Sequence, residues 1–93
     1  MAQEKILIVD DEVVVAEDIR RQLRSLGYVV VGVVASGSEA VDVAGEHRPD
    51  LILMDIKLKG PLDGIDAART IQSRYGIPVI YLTAFSDEDT LER

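Results

Sequence analysis

Residues 6–11 read Ile6-Leu7-Ile8-Val9-Asp10-Asp11, so that an apolar run passes directly into two aspartates. A second apolar run, residues 51–54, ends in the same way on Asp55. Short, wholly apolar runs are typical of strands that are buried on both faces of a parallel sheet. Sites in open α/β sheets form outside the carboxyl ends of such strands. We therefore expect the three carboxylates to lie close together at one edge of a sheet.

These carboxylates predict a cation site. Neighbouring carboxylates repel each other unless a cation neutralises them, and ligands that are all oxygen suit Mg²⁺. One carboxylate of the cluster could also attack phosphorus and form an acyl phosphate. In the alternative interpretation, Asp10 and Asp11 only cap a helix and Asp55 only begins a turn. Acids after two adjacent strands favour the site.

Composition narrows the class of protein. The chain has 93 residues, which suffices for one domain, and it has no cysteine, which excludes disulfides and thiolate chemistry. Its net charge of −7 argues against direct binding to nucleic acid. The longest apolar stretch, residues 28–35, is too short to span a membrane, and the N-terminus lacks the basic segment of a signal peptide. We expect a cytoplasmic protein with no membrane or nucleic-acid partner.

Strands and helices are predicted to alternate, which indicates βαβ units. The strands are expected at about residues 5–9, 28–34, 51–54 and 78–82. The first helix should have Asp11 as its N-cap, bury one apolar face and end at Gly27. The residues of that face are Val15, Ile19, Leu23 and Leu26.

Capping motifs mark the later helices. Ser36 and Glu39 form a capping box for the second helix, which should end near Arg48 because Pro49 follows. Asp63 should cap the third helix, which ends at Gly76, and a fourth should open at residue 86.

Three further positions bear on the site. Thr83 follows the fourth strand, where its hydroxyl could hydrogen-bond a phosphoryl oxygen. The backbone carbonyl of Lys57 is a candidate metal ligand, whereas its side chain is interpreted as solvated. His47 is the single histidine and is interpreted as structural, since it lies near the end of a helix far from the acids. The chain has no glycine-rich loop of the nucleotide-binding kind.

Four segments together resemble the receiver domain of response regulators in two-component signalling. They are residues 6–12, residues 50–56, the pair Asp63-Gly64, and residues 78–84. The resemblance covers essentially the whole chain, and four motifs in this order and spacing are specific. It implies an α/β fold with a flavodoxin-like, doubly wound parallel sheet of order 2-1-3-4-5.

The resemblance also implies a mechanism. Asp55 would accept a phosphoryl group from a phosphohistidine of a histidine kinase or phosphotransfer protein. Asp11 would bind Mg²⁺ directly, Asp10 largely through water, and the Lys57 carbonyl would be a further ligand. Thr83 would shift to meet the phosphoryl oxygen and bias an equilibrium between inactive and active states.

The chain departs from the family pattern at two places. The loop over residues 57–62 is longer than usual, as in receivers attached to histidine kinases or RNA-binding antiterminators. The family's fifth strand, its lysine and its last helix would lie beyond residue 93, so residues 1–93 are expected to form one receiver domain that is incomplete at the C-terminus. The strand-four and helix-three region should then be exposed, which makes a homodimer through it plausible.

A signalling module, rather than an enzyme, is thus the favoured function, with catalysis limited to its own phosphorylation and dephosphorylation. One alternative is an Mg²⁺-dependent phosphatase or phosphotransferase with an aspartyl-phosphate intermediate, although such enzymes usually carry D-x-D where this chain has a contiguous pair. The other is a pseudo-receiver that acts by protein contact alone. The cognate kinase and the output, which could include a longer histidine kinase, stay open.

Overall fold

Strands and helices alternate along the chain, as the apolar runs predict. The computed structural model describes residues 3–56, 58 and 62–82. In order, the elements are β1 (Lys5–Val9), α1 (Val13–Ser25), β2 (Val29–Val34), α2 (Gly37–His47), β3 (Leu51–Asp55), α3 (Gly64–Tyr75) and β4 (Val79–Leu82). The observed strand bounds differ from the predicted ones by no more than one residue. The predicted fourth helix and Thr83 lie outside the described residues.

The described strands form one parallel sheet in the order β2-β1-β3-β4. This order confirms the predicted flavodoxin-like arrangement for these strands. The chain passes from β1 outward to β2, then back across β1 to β3. Crossovers between parallel strands are right-handed, so the direction of each step decides which face of the sheet its helix covers. The step from β1 to β2 runs one way and places α1 on one face. The later steps run the other way and place α2 and α3 on the opposite face.

The main core lies between the sheet and the two helices α2 and α3. Alternate strand residues point into it, and the helices contribute small residues that allow close packing. Its buried members are Leu7, Val9, Ala40, Val41, Ala44, Ile52, Met54, Leu58, Ala67, Ile71 and Ile77. On α3, Ala68 and Ile71 are fully buried and Tyr75 is half-buried.

Two predicted caps are confirmed. The Ser36 hydroxyl accepts a hydrogen bond from the Glu39 N–H at 3.2 Å, and the Asp63 carboxylate accepts one from the Asp66 N–H at 2.9 Å. Gly27 takes a positive φ of 98° just after α1, as a left-handed helix-ending residue should. These local signals set where the helices begin and end.

The prediction for α1 is wrong in two respects. Glu12, not Asp11, is the N-cap residue, and its side chain makes no capping hydrogen bond. The predicted apolar stripe is also only partly buried, since Leu26 is 72% exposed, whereas Ala16 is the fully buried residue. The reason is that α1 packs on β1 and β2 alone within the described part of the chain.

Among the described residues, no helix has the length and apolar character needed to cross a membrane.

Candidate functional site

The sheet register places Asp10 beside Asp55. Val9 of β1 pairs with Met54 of β3, so the next residue on each strand lies at the same level. Asp10 still belongs to the ladder on its other side, because its N–H donates to the Val34 carbonyl at 3.0 Å. The backbone of both residues is therefore held by strand pairing at the carboxyl edge of the sheet.

Asp11 completes a cluster of three carboxylates. One oxygen from each of Asp10, Asp11 and Asp55 lies within 4.8 Å of the others. Asp10 is buried, whereas Asp11 and Asp55 are half-buried, so the cluster opens to solvent on one side. The structure thus brings together the three acids that the sequence predicted.

Asp10 is the most constrained member of the cluster. Its side chain is 6% exposed, and its carboxylate accepts a hydrogen bond from the Glu12 N–H at 2.9 Å. Burial raises the pKa of Asp10, the hydrogen bond from Glu12 opposes this, and repulsion from Asp55, Glu12 and Asp11 raises it further. This hydrogen bond is made to Glu12, the residue that precedes the first helical residue of α1.

Two described residues between β3 and α3 pack on the main core. Leu58 is buried in the main core, and half-buried Leu62 packs against it. The Gly64 N–H donates to the Ile56 carbonyl at 3.3 Å, which joins the start of α3 to the chain just after Asp55. Lys57, predicted as a backbone ligand, and Thr83, predicted as a phosphoryl contact, lie outside the described residues.

Sequence reasoning missed one contributor to the charge of the site and one to its shape. Glu12 adds a further negative charge, which follows from its place directly after the aspartate pair. Gly64 allows α3 to approach the backbone of Asp55, and the Asp63-Gly64 pair was the only signal of this. His47 is exposed in the last turn of α2, 4.0 Å from a Glu46 carboxylate oxygen.

The donor set fits a hard divalent cation. All three groups are carboxylates, and their oxygens are close enough to share one ion. Burial of the Asp10 carboxylate disfavours its charged form, and a bound cation would offset that cost. The half-buried Asp55 is also accessible to a second reactant. The arrangement can therefore bind a cation and expose a carboxylate nucleophile beside it.

Comparison with known proteins identifies a family. The model of the response regulator receiver domain matches residues 6–93. The transcriptional regulatory protein PdtaR of Mycobacterium tuberculosis is 45% identical over 89 residues, which are 96% of this chain and 43% of that protein. The phyllosphere-induced regulator PhyR of Methylorubrum extorquens is 41% identical over 84 residues, which are 89% of this chain and 32% of that protein. The chain thus spans less than half the length of these curated relatives.

Solved structures agree with the fold. The signal receiver domain of a modulated diguanylate cyclase from Desulfovibrio desulfuricans G20 superposes with a TM-score of 0.86 at 41% identity, covering 98% of this chain and 72% of that one. The receiver domain of the sensor histidine kinase PA1611 from Pseudomonas aeruginosa gives 0.80 at 42% identity, covering 99% and 76%. That domain has a magnesium ion coordinated in its active-site cleft.

Proposed function

Because the chain belongs to the response-regulator receiver family, we propose that it is a phospho-accepting signal receiver of a two-component phosphorelay. In this proposal Asp55 takes a phosphoryl group from a phosphohistidine of a histidine kinase or phosphotransfer protein. The observation that supports it most is the cluster of Asp10, Asp11 and Asp55, whose oxygens lie within 4.8 Å of one another at the carboxyl edge of the sheet. Residues 1–93 are taken as part of a single receiver domain.

The reaction is a transfer between two nucleophiles. A carboxylate oxygen of Asp55 forms a bond to phosphorus while the phosphorus–nitrogen bond of the phosphohistidine breaks, and the electron pair of that bond returns to the imidazole nitrogen. The product is an acyl phosphate on Asp55. Because Asp55 is only half-buried, the phosphohistidine can approach its carboxylate. Pairing of β3 with β1 keeps the backbone that carries Asp55 in a fixed position during the transfer.

The remaining acids hold the cation. Mg²⁺, when bound, neutralises the charge of the transferring group. Asp11, which is half-buried, is proposed to bind it directly, and Asp10, fixed by the Glu12 N–H, largely through water. The carbonyl of Lys57 is proposed as a further ligand and Thr83 as the phosphoryl contact and switch, both on the family resemblance and their sequence positions.

The proposed module is cytoplasmic and acts by switching contacts with its output or partners. It is not a classical enzyme, and any catalysis is limited to forming and losing its own acyl phosphate. PhyR of Bartonella quintana, 40% identical over 91% of this chain, has been solved in complex with the anti-sigma factor NepR. A protein partner for this chain is proposed by analogy, and neither nucleic acid nor membrane is proposed as a direct partner.

A homodimer through the region of β4 and α3 is proposed as well. Within the described sheet, β4 is an edge strand, with Ile80 52% and Tyr81 38% exposed, and Ile65 on α3 is 43% exposed. Unpaired edges are templates for pairing with another chain. Sedimentation velocity should show an association that Ile80→Lys weakens and Val14→Lys, an exposed site on α1, does not. A monomer at every concentration would refute the dimer.

The phosphorylation itself is tested by intact mass spectrometry. The protein is incubated with Mg²⁺ and a small phosphodonor, beside Asp55→Asn and a matched control, Asp42→Asn, which changes an exposed acid on α2. We expect one phosphoryl adduct in the wild type and in the control and none in Asp55→Asn. Continuous turnover of a phosphate ester would instead indicate a phosphatase, and no adduct in any variant would indicate a pseudo-receiver.

A further inference from the structure

The first residue of α3, Gly64, lies directly against the backbone of the proposed phospho-acceptor. A Cβ atom at this position would overlap the carbonyl oxygen of Asp55 and lie 2.9 Å from the Cα of Ile56 and 3.0 Å from its carbonyl oxygen. All three neighbours are backbone atoms, which cannot rotate away as the end of a side chain can. Gly64 is therefore required for the space it leaves.

Neither partner of this contact can move without disturbing other packing. On one side, β3 is paired to both β1 and β4. On the other, the first two turns of α3 are packed by Ala67 and Ile71, both fully buried. Since protein interiors are close-packed, an added methyl group at residue 64 has to be accommodated by the short segment of Asp55 and Ile56.

We infer that Gly64 is a positioning residue for the acid cluster: the bare backbone at the start of α3 sets the place of the Asp55–Ile56 peptide, and so aims the Asp55 carboxylate at Asp10 and Asp11. The expected effect on the rate of Asp55 phosphorylation rests on the proposed function. The expected effect on Mg²⁺ affinity depends only on the geometry of the three carboxylates. A displacement of about 1 Å in a reacting group can lower a rate by about 100-fold.

The test compares Gly64→Ala with Gly45→Ala, a matched control. A Cβ at residue 45, on α2, would lie 2.5 Å from the Tyr75 hydroxyl, which is the end of a side chain and can turn away, so this variant adds the same methyl group far from the acids without pressing on backbone. Gly64→Ala should be destabilised more than Gly45→Ala, because only the first meets backbone atoms. Thermal unfolding curves are used to choose a temperature at which both variants are folded. All rates and dissociation constants are measured at that temperature.

Two readouts separate positioning from loss of stability. The first is the rate of Asp55 labelling by the small phosphodonor at saturating Mg²⁺, and the second is the dissociation constant for Mg²⁺ from calorimetric titration. We expect Gly64→Ala to slow labelling at least tenfold and to weaken Mg²⁺ binding severalfold, while Gly45→Ala stays within twofold of the wild type in both. Equal effects of the two variants would overturn the inference.

A second pair of variants covers the case in which Gly64→Ala does not fold. Asp63→Ala removes the cap of α3 without adding atoms, and Ser36→Ala removes the cap of α2. Asp63→Ala should slow labelling or weaken Mg²⁺ binding more than Ser36→Ala, and equal effects would overturn the inference. If the wild type binds Mg²⁺ but is not labelled, the proposed function fails, whereas the Mg²⁺ comparison still decides the role of Gly64.

Discussion

Replacing Asp10 by asparagine should make the protein more stable in the absence of Mg²⁺. Asp10 is 6% exposed and shares its site with two other carboxylates whose oxygens lie within 4.8 Å. Asparagine keeps the shape of the side chain, and its carbonyl oxygen can still accept the Glu12 N–H. The substitution therefore removes the charge while keeping the hydrogen bond.

The distance sets the size of the effect. Two unit charges 4.8 Å apart repel by about 3.5 kcal/mol at an effective dielectric constant of about 20, and by about 0.9 kcal/mol in bulk water. A half-open cluster lies between these limits, so Asp10→Asn should gain about 1–3 kcal/mol. For a domain of this size each kcal/mol raises Tm by about 4–8 °C.

The gain should depend on pH. The pKa of Asp10 is raised above its ordinary value of 3.8, chiefly by burial. The native state therefore holds this proton up to a higher pH than the unfolded state, and stability falls as pH rises from 3.8 through the native pKa. Asp10→Asn lacks this titration, so its advantage over the wild type should be full at pH 7 and shrink as pH falls towards 3.8.

Thermal unfolding followed by circular dichroism, with chelator and with Mg²⁺, tests this reasoning. Mg²⁺ at 100 times its dissociation constant should stabilise the wild type by about 2.7 kcal/mol, and Asp10→Asn by clearly less. Asp42→Asn, an exposed acid on α2, should stay within about 0.5 kcal/mol of the wild type. If Asp10→Asn were less stable than the wild type in chelator at pH 7, the carboxylates would not be repelling each other as the geometry requires.

Three further substitutions test the fold by chemical denaturation. Ser36→Ala removes the α2 cap and should cost about 1 kcal/mol; no loss would mean that the hydrogen bond to Glu39 adds nothing net. Leu7→Ala opens a cavity at a fully buried core position and should cost about 2–5 kcal/mol, so a loss below that range would show that the core refills the space. Val14→Ser changes a side chain that is 82% exposed and should shift stability by no more than about 0.5 kcal/mol; a larger loss would indicate that Val14 is covered in solution.

The fold could be predicted from sequence because its signals are local and agree with one another. Wholly apolar runs give the strands, and the side-chain caps at Ser36 and Asp63 start two helices where predicted. No local signal predicts the order of the described strands, which was predicted instead from the resemblance of four motifs to a known family.

Helix α1 shows where local signals fail. Adjacent acids at residues 10 and 11 are both chemically able to cap a helix, and sequence alone does not say which one meets the backbone N–H. In the folded chain neither acid caps the helix: Asp10 accepts from the Glu12 N–H, and α1 begins after Glu12 without a side-chain cap. The buried stripe of α1 also depends on which strands it covers, and that is a tertiary property.

The acid cluster was predictable because it follows from strand ends, whereas its fine geometry was not. Asp10 and Asp55 meet because each comes one residue after a paired position, Val9 or Met54. The requirement for glycine at residue 64 depends on how α3 approaches β3, which no pattern in the sequence measures.

Under the proposed function, stability and cation binding are coupled in this architecture. Backbone pairing on both sides of β1 and β3 fixes where the backbone of Asp10 and Asp55 lies, so the folded chain keeps these carboxylates closer together than the unfolded chain does. A cation that binds the folded cluster therefore removes a strain that the unfolded chain does not have, because there the carboxylates are apart. It follows that mutations that loosen the carboxyl edge of the sheet should lower cation affinity, and that removing the cation should loosen that edge first.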